Sequence, residues 1–210
     1  MKRLFIAILL CLIVSGANAQ EIETVFASMP DQYIPQLESA WKKDLIDLYN
    51  SGKDAQLKNT MNGTSVLRKM TSDYLFLDVT GRSSVEMKLL PLVNNTKIIC
   101  MVTTVSGPVP DSRIDFFTTE WEPLNTADLF IPVSADWFIL EKADRNSPSF
   151  IEATALLDVD LQKISLSPDN QTLTVEYTTP QYLGKEQRDK VIPFLKQEPK
   201  VYTWEKYRFK

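Results

Sequence analysis

The chain of 210 residues contains no histidine. That excludes hydroxyl–imidazole and thiol–imidazole catalysis, and the zinc sites built on imidazole. Of its two cysteines, Cys11 sits in an N-terminal apolar run. Cys100 stands among Ile98, Ile99, Met101 and Val102. An apolar strand raises a thiol's pKa and blocks access to it, so Cys100 reads as a core residue. Six glycines form neither a phosphate loop nor a dinucleotide fingerprint. Carboxylate chemistry needs no histidine, since glycoside hydrolysis uses two acids ~5–10 Å apart, but spacing in sequence does not give spacing in space. Asp158 and Asp160 share one parity of an expected strand and offer oxygen ligands to a hard cation such as Ca²⁺. Two acids do not complete such a site, and a solvated strand face accounts for them. No catalytic residue, metal ligand or cofactor is assigned.

The best candidate for binding is Gly107-Pro108-Val109-Pro110-Asp111-Ser112-Arg113. It reads as a stiff loop directly after the most apolar strand, aiming Asp111, Ser112 and Arg113 from rigid backbone, with Trp121 close enough to share the surface. The plainer reading is a turn in which Asp111 or Ser112 bonds back to the backbone. Asn62-Gly63-Thr64, Asn94-Asn95-Thr96 and Asn170-Gln171-Thr172 match the N-glycosylation pattern, but each coincides with an expected turn.

Elements that would position these residues follow from periodicity. Ile34, Leu37, Trp41, Leu45 and Leu48 form an amphipathic stripe, which predicts one helix over Ser28–Gly52 with Gly52 as its terminator. Asn62-Gly63 predicts a two-residue hairpin between Ala55–Met61 and Thr64–Met70. Leu75, Leu77 and Val79, then Val85, Met87 and Leu89, alternate as strands with one wet face. The run from Lys97 to Val105 reads as a strand buried on both faces, and Ile114–Phe117 as a further short one. The stretch Glu120–Pro148 is irregular. Beyond it Leu157, Val159 and Leu161 change parity to Ile164 and Leu166, which predicts a bulge or a turn near Gln162-Lys163. Leu173, Val175 and Tyr177 alternate after a turn at Pro168-Asp169-Asn170. Lys185–Leu195 reads as a short helix ended by Pro193, and Val201–Phe209 as an aromatic closing strand.

Short connections imply antiparallel pairing. The expected class is therefore α+β, an antiparallel sheet packed by one long N-terminal and one short C-terminal helix. A boundary is expected near 125/126. The echo between Asp31–Leu37 and Asp189–Leu195 raises two related subdomains, 20–125 and 126–210, with chance as the simpler source.

The first residues carry a targeting signal. Lys2 and Arg3 precede the apolar run Leu4–Val14, and Ala17-Asn18-Ala19 offers small residues at a cleavage point. That is a secretory signal peptide over residues 1–19, cut after Ala19. The run is too short to span a bilayer. With Lys2 and Arg3 removed, 21 basic residues face 27 acidic ones, which argues against nucleic acid as a partner.

The chain resembles an uncharacterised family of exported proteins from Bacteroidales, known as a domain of unknown function. The likeness rests on Asp44–Gly52, Val85–Pro91, Lys97–Cys100, Gly107–Phe117 with Trp121 and Leu124, and Tyr202–Lys210. It implies an envelope or secreted location and brings no activity, cofactor or site residue. The leading expectation is a non-enzymatic binding protein of the bacterial cell envelope, with an envelope protein or glycan as partner and sheet edges as ready surfaces. A small-molecule or lipid carrier and a carboxylate-based glycan hydrolase are the alternatives.

Overall fold

The computed structural model describes residues 21–210. The expected signal peptide and its cleavage point lie outside the described residues. Seven strands form one antiparallel meander in sequence order: β1 (Gln56–Lys58), β2 (Thr64–Met70), β3 (Tyr74–Thr80), β4 (Ser83–Pro91), β5 (Lys97–Ser106), β6 (Pro110–Thr118) and β7 (Pro123–Leu124). A second antiparallel sheet contains β8 (Gln162–Leu166), β9 (Thr172–Tyr177), β10 (Lys200–Glu205) and β11 (Arg208–Phe209), in the order β11-β10-β9-β8. Six α-helices complete the described residues: α1 (Glu21–Ala27), α2 (Ser39–Asn50), α3 (Thr126–Leu129), α4 (Pro148–Thr154), α5 (Thr179–Tyr182) and α6 (Lys185–Val191). The α+β class holds.

The large sheet is the middle layer. On one face, Leu75, Leu77, Met87, Ile99 and Met101 pack beneath Ile22 and Phe26 of α1 and Leu45 of α2. On the other, Ile98, Cys100, Val102 and Phe116 meet Ile164, Leu173, Val175 and Trp204 of the small sheet. Alternate residues of β5 enter the two cores, so the strand is buried on both faces as its unbroken apolar run predicts. The wet face expected for β4 is instead covered. Lys88 is buried there, its Nζ 3.0 Å from Asp73 Oδ2 and donating at 3.3 Å to Pro168 O in the turn between β8 and β9. A strand's own alternation does not reveal a second layer supplied from far along the chain.

The single helix expected over Ser28–Gly52 is replaced by α1, a 3₁₀ turn at Asp31–Tyr33 and α2. Pro30 and Pro35 lack the N–H that a continuous helix needs, and each disfavours helical backbone in the residue before it. Ile34 and Leu37 are buried from this linker, so they mimic a helical stripe without belonging to one. The linker is tied down by Lys42 of α2. Its fully buried Nζ donates to Met29 O at 2.6 Å and to Asp31 Oδ1 at 2.8 Å. Gly52 ends α2 as expected. At φ +66 it donates to Tyr49 O, and Lys53 N donates to Leu48 O, the paired bonds of a glycine C-terminal cap.

The hairpin at Asn62-Gly63 has a five-residue loop, 59–63, in place of a two-residue turn. Asn59 organises it from inside. Its Oδ1 accepts from Met61 N and Gly63 N, and its Nδ2 donates to Ser65 Oγ and Val79 O. Residues 157–161 are a loop, with β8 starting at Gln162, which explains the parity change without a bulge. Asp158 and Asp160 are therefore exposed loop residues. The closing strand is a hairpin, β10–β11, turned at Lys206-Tyr207, both at positive φ. The echo segments differ in structure: Asp31–Leu37 is a 3₁₀ turn and linker, while Asp189–Leu195 covers the end of α6 and a 3₁₀ turn at Ile192–Phe194. The sheets change over after Leu124, beside the expected boundary, and share one core.

Candidate binding site

The four residues expected to bind are not brought together. Asp111, Ser112 and Arg113 lie in β6, opposite Val105, Thr104 and Thr103, and not in a loop. Trp121 follows the far end of the same strand. Asp111 to Thr118 alone spans roughly 23 Å at ~3.3 Å per residue. Trp121 is buried at φ +67, donates from Nε1 to Val25 O at 3.1 Å, and packs on Tyr33 and Phe117. It fastens α1 to the sheet. Arg113 is exposed and donates from Nε to Asp115 Oδ2 at 2.8 Å.

Asp111 and Ser112 serve the edge of the small sheet. β8 is that edge, and its outward N–H groups recur at alternate residues. Gln162 N donates to Asp111 Oδ1 at 3.2 Å, Ile164 N to Ser112 Oγ at 3.0 Å, and Leu166 N to Glu86 Oε2 at 2.9 Å. Three side-chain acceptors of the large sheet thus cap three edge donors of the small one. Ser112 Oγ also bonds Thr104 Oγ1 at 2.8 Å, and Thr178 Oγ1 donates to Pro110 O at 2.7 Å. The other sheet edges are short: β1 has three residues, β7 and β11 two each. Sheet edges, expected as partner surfaces, are capped or brief.

Burial raises the pKa of Tyr74, Glu86 and Cys100, which lie at or near the seam between the sheets. Burial pushes the Glu86 carboxyl up, against the pull of Leu166 N–H and of Tyr74 Oη, which donates to it at 3.0 Å. Burial first, then the charges of Glu86 and Asp115, pushes the Cys100 thiol far up. Cys100 is fully buried between the sheets, and Glu86 is half-buried at their seam. No group of three or more Cys, Asp or Glu suited to a metal occurs among the described residues.

Unpaired charge collects elsewhere, around Trp137. This residue lies in a 3₁₀ turn, Ala135–Phe138, held by backbone bonds from Lys196 N to Phe138 O at 2.7 Å and Leu140 N to Phe194 O at 2.8 Å. Two ammonium groups share its indole, Lys196 Nζ at 4.4 Å and Lys200 Nζ at 5.2 Å from the ring centroid. Lys200 Nζ also lies 5.3 Å from the Tyr202 ring. A groove of about 330 Å³ runs here between residues 128–133 and the β10–β11 hairpin, lined also by Trp137, Arg208 and Lys210. Its wall includes Ile131, 68% exposed. Lys200, Arg208 and Lys210 have no carboxylate partner among the described residues.

A smaller cavity of about 130 Å³ is lined by residues 195–199. Phe138, stacked on Tyr177 at 5.1 Å, forms a wall with Pro180, Leu195 and Pro199. Arg188 and Glu198 line it, and neither makes an ion pair or side-chain hydrogen bond among the described residues. Shallow hollows on the surface of α1 and α2 carry mixed charges, such as Lys43 beside Glu23 and Asp47.

Sequence reasoning missed Trp137, Arg188, Lys200 and Arg208. One signal was available. Lys196–Lys210 holds five bases and two acids, in a chain of net charge −4, interleaved with Tyr202, Trp204 and Tyr207.

A family profile described as "Protein of unknown function (DUF3256)" matches residues 14–209. A solved structure of a domain of an uncharacterised protein from Porphyromonas gingivalis W83 is similar at 31% identity and a TM-score of 0.82, covering 91% of this chain and 98% of its own. A search of the curated proteins gives no match.

Proposed function

We propose that this chain, which belongs to the DUF3256 family of proteins of unknown function, is an exported, non-enzymatic interaction protein of the bacterial cell envelope. Its partner is another envelope protein, gripped through an acidic segment in the groove beside Trp137. Export rests on the basic, apolar and small-residue order of residues 1–19. No helix among the described residues is long and apolar enough to cross a membrane.

One observation carries the reading. Two lysines share one indole while Lys200, Arg208 and Lys210 line a groove without carboxylate partners among the described residues. Like charges held this close repel, and a partner's carboxylates relieve that repulsion. The exposed Ile131 adds an apolar contact of the kind that protein segments match. Lysines over the rings of Trp137 and Tyr202 leave less aromatic face for a sugar to stack on, which favours a protein over a glycan. A lipid carrier asks for a large closed apolar cavity, and the groove is open with cations on its wall. The hydrolase reading asks for two acids facing each other in a cleft; Glu176 and Glu198 line one cavity, but Glu176 is held by Lys163 at 3.4 Å, which leaves one acid there without a cation among the described residues.

The test is crosslinking in intact cells of the native host, with tagged wild type and a Lys200→Glu, Arg208→Glu variant. One abundant envelope protein recovered with the wild type and lost from the variant is the expected result. Equal recovery from both removes the groove as the surface. No companion above background removes the interaction reading.

A further inference from the structure

We infer that the cavity of about 130 Å³ between β9, α5, α6 and the 195–200 segment is a binding site for a small zwitterion, an α-amino acid. This goes beyond the interaction reading and does not depend on the groove. The walls are stiff. Pro180 and Pro199 contribute to them, Phe138 stacks on Tyr177, and the Ile139–Leu195 bridge stitches the two chain segments together. α6 is anchored from its other side, where Lys190 Nζ donates to Glu152 Oε1 of α4 at 2.8 Å. That leaves Arg188, one turn before Ile192 on the cavity side, half-buried and without an acidic partner among the described residues.

The charge pattern selects the ligand. Four ionised side chains line the cavity. Glu176 is paired with Lys163 at 3.4 Å, and Lys196 lies 3.8 Å from Glu141 and over the Trp137 ring. Arg188, half-buried, and Glu198, exposed, remain, opposite in sign and without an ion pair among the described residues, including with each other. A plain anion would answer Arg188 and be repelled by Glu198. A ligand with a carboxylate at one end and an ammonium at the other answers both. Its carboxylate accepts two parallel bonds from the guanidinium, and its ammonium donates to the Glu198 carboxylate. Gln181 and Gln197 at the rim supply neutral donors and acceptors. The volume equals about four waters at ~30 Å³ each. That suits the head of an amino acid with a short side chain, or a longer one whose end protrudes.

Calorimetry on the chain from residue 20 onward, titrated with each standard α-amino acid in turn, tests this. At least one small amino acid is expected to bind. Its N-acetyl and its carboxamide derivatives, which lack one charge each, are expected to bind at least tenfold more weakly, as are the Arg188→Gln and Glu198→Gln variants towards the parent ligand. Thermal melts equal to wild type establish that both variants are folded. Absence of binding by every amino acid overturns the inference. So does acetate binding as tightly as the amino acid, or binding unchanged in both variants. None of these results bears on the groove, whose crosslinking test uses Lys200 and Arg208.

Discussion

The seam between the sheets and the surface around Trp137 handle polar groups in opposite ways. At the seam, Asp111, Ser112 and Glu86 each accept a bond from a specific backbone N–H of β8, and Lys88 is held by Asp73 and Pro168 O. Under α2, Lys42 is equally engaged. Around Trp137 and α6, Arg188, Lys200, Arg208, Lys210 and Glu198 stand beside concave surfaces with no partner of opposite charge among the described residues. Buried polar groups left unbonded are costly, so a seam must satisfy them. A surface meant to meet something else can leave charge exposed, because water solvates it until the partner arrives. Polar residues on rigid backbone are therefore poor evidence of a site by themselves; whether they have partners within the fold decides it.

Substitutions can break this contrast, and the largest effect belongs to the seam. Glu86→Ala orphans both the Leu166 N–H and the Tyr74 hydroxyl, so urea unfolding should show a loss of about 3–4 kcal/mol. Glu86→Gln sharpens the point, since an amide keeps both bonds without the charge. The raised folded-state pKa means the native protein holds this proton more tightly than the unfolded chain does. Stability from this group is thus full below the ordinary carboxylate pKa and falls as pH rises through the raised one. Melting temperatures across pH should show Glu86→Gln gaining on wild type as pH rises, and the gain levelling off above the raised pKa.

Next comes Lys42→Met, which leaves Met29 O without its donor at the α1–α2 linker. A loss of about 2–3 kcal/mol in urea unfolding is expected. Ser112→Ala removes the acceptor for Ile164 N and should cost about 1–2 kcal/mol. Hydrogen exchange at Ile164 should quicken relative to Leu166. The smallest effect is expected at the groove, where Arg208→Gln and Lys210→Gln should each change stability by under about 0.5 kcal/mol. A loss above 1 kcal/mol at either would show that the groove cations are structural and would erase the contrast.

The strands were legible wherever one local rule governed them. Alternation located β3, β4 and β9, and the unbroken run of β5 announced burial on two faces. The N-terminal helix is misread from sequence because Ile34 and Leu37 keep helical spacing while Pro30, ahead of them, and Pro35, between them, break the backbone. The second layer over β4 was hidden, because the residues that cover Glu86 and Lys88 come about 80 positions later. Asp111 and Ser112 drew notice for the right chemistry and the wrong role. Their acceptor oxygens face Gln162 and Ile164, about 50 residues away, and no local pattern encodes that meeting. The Trp137 site assembles residues 137, 196, 200 and 208 from separate segments, and only the basic character of the C-terminal stretch was visible beforehand.

The most direct measurement crosslinks two variants side by side in the native host, each first verified as folded by its melting temperature. One carries Asp111→Asn and Ser112→Ala at the seam, the other Lys200→Glu and Arg208→Glu at the groove. The account predicts that the seam variant keeps the wild-type companion despite lower stability, and that the groove variant loses it at wild-type stability. Loss from the seam variant together with retention by the groove variant would contradict it.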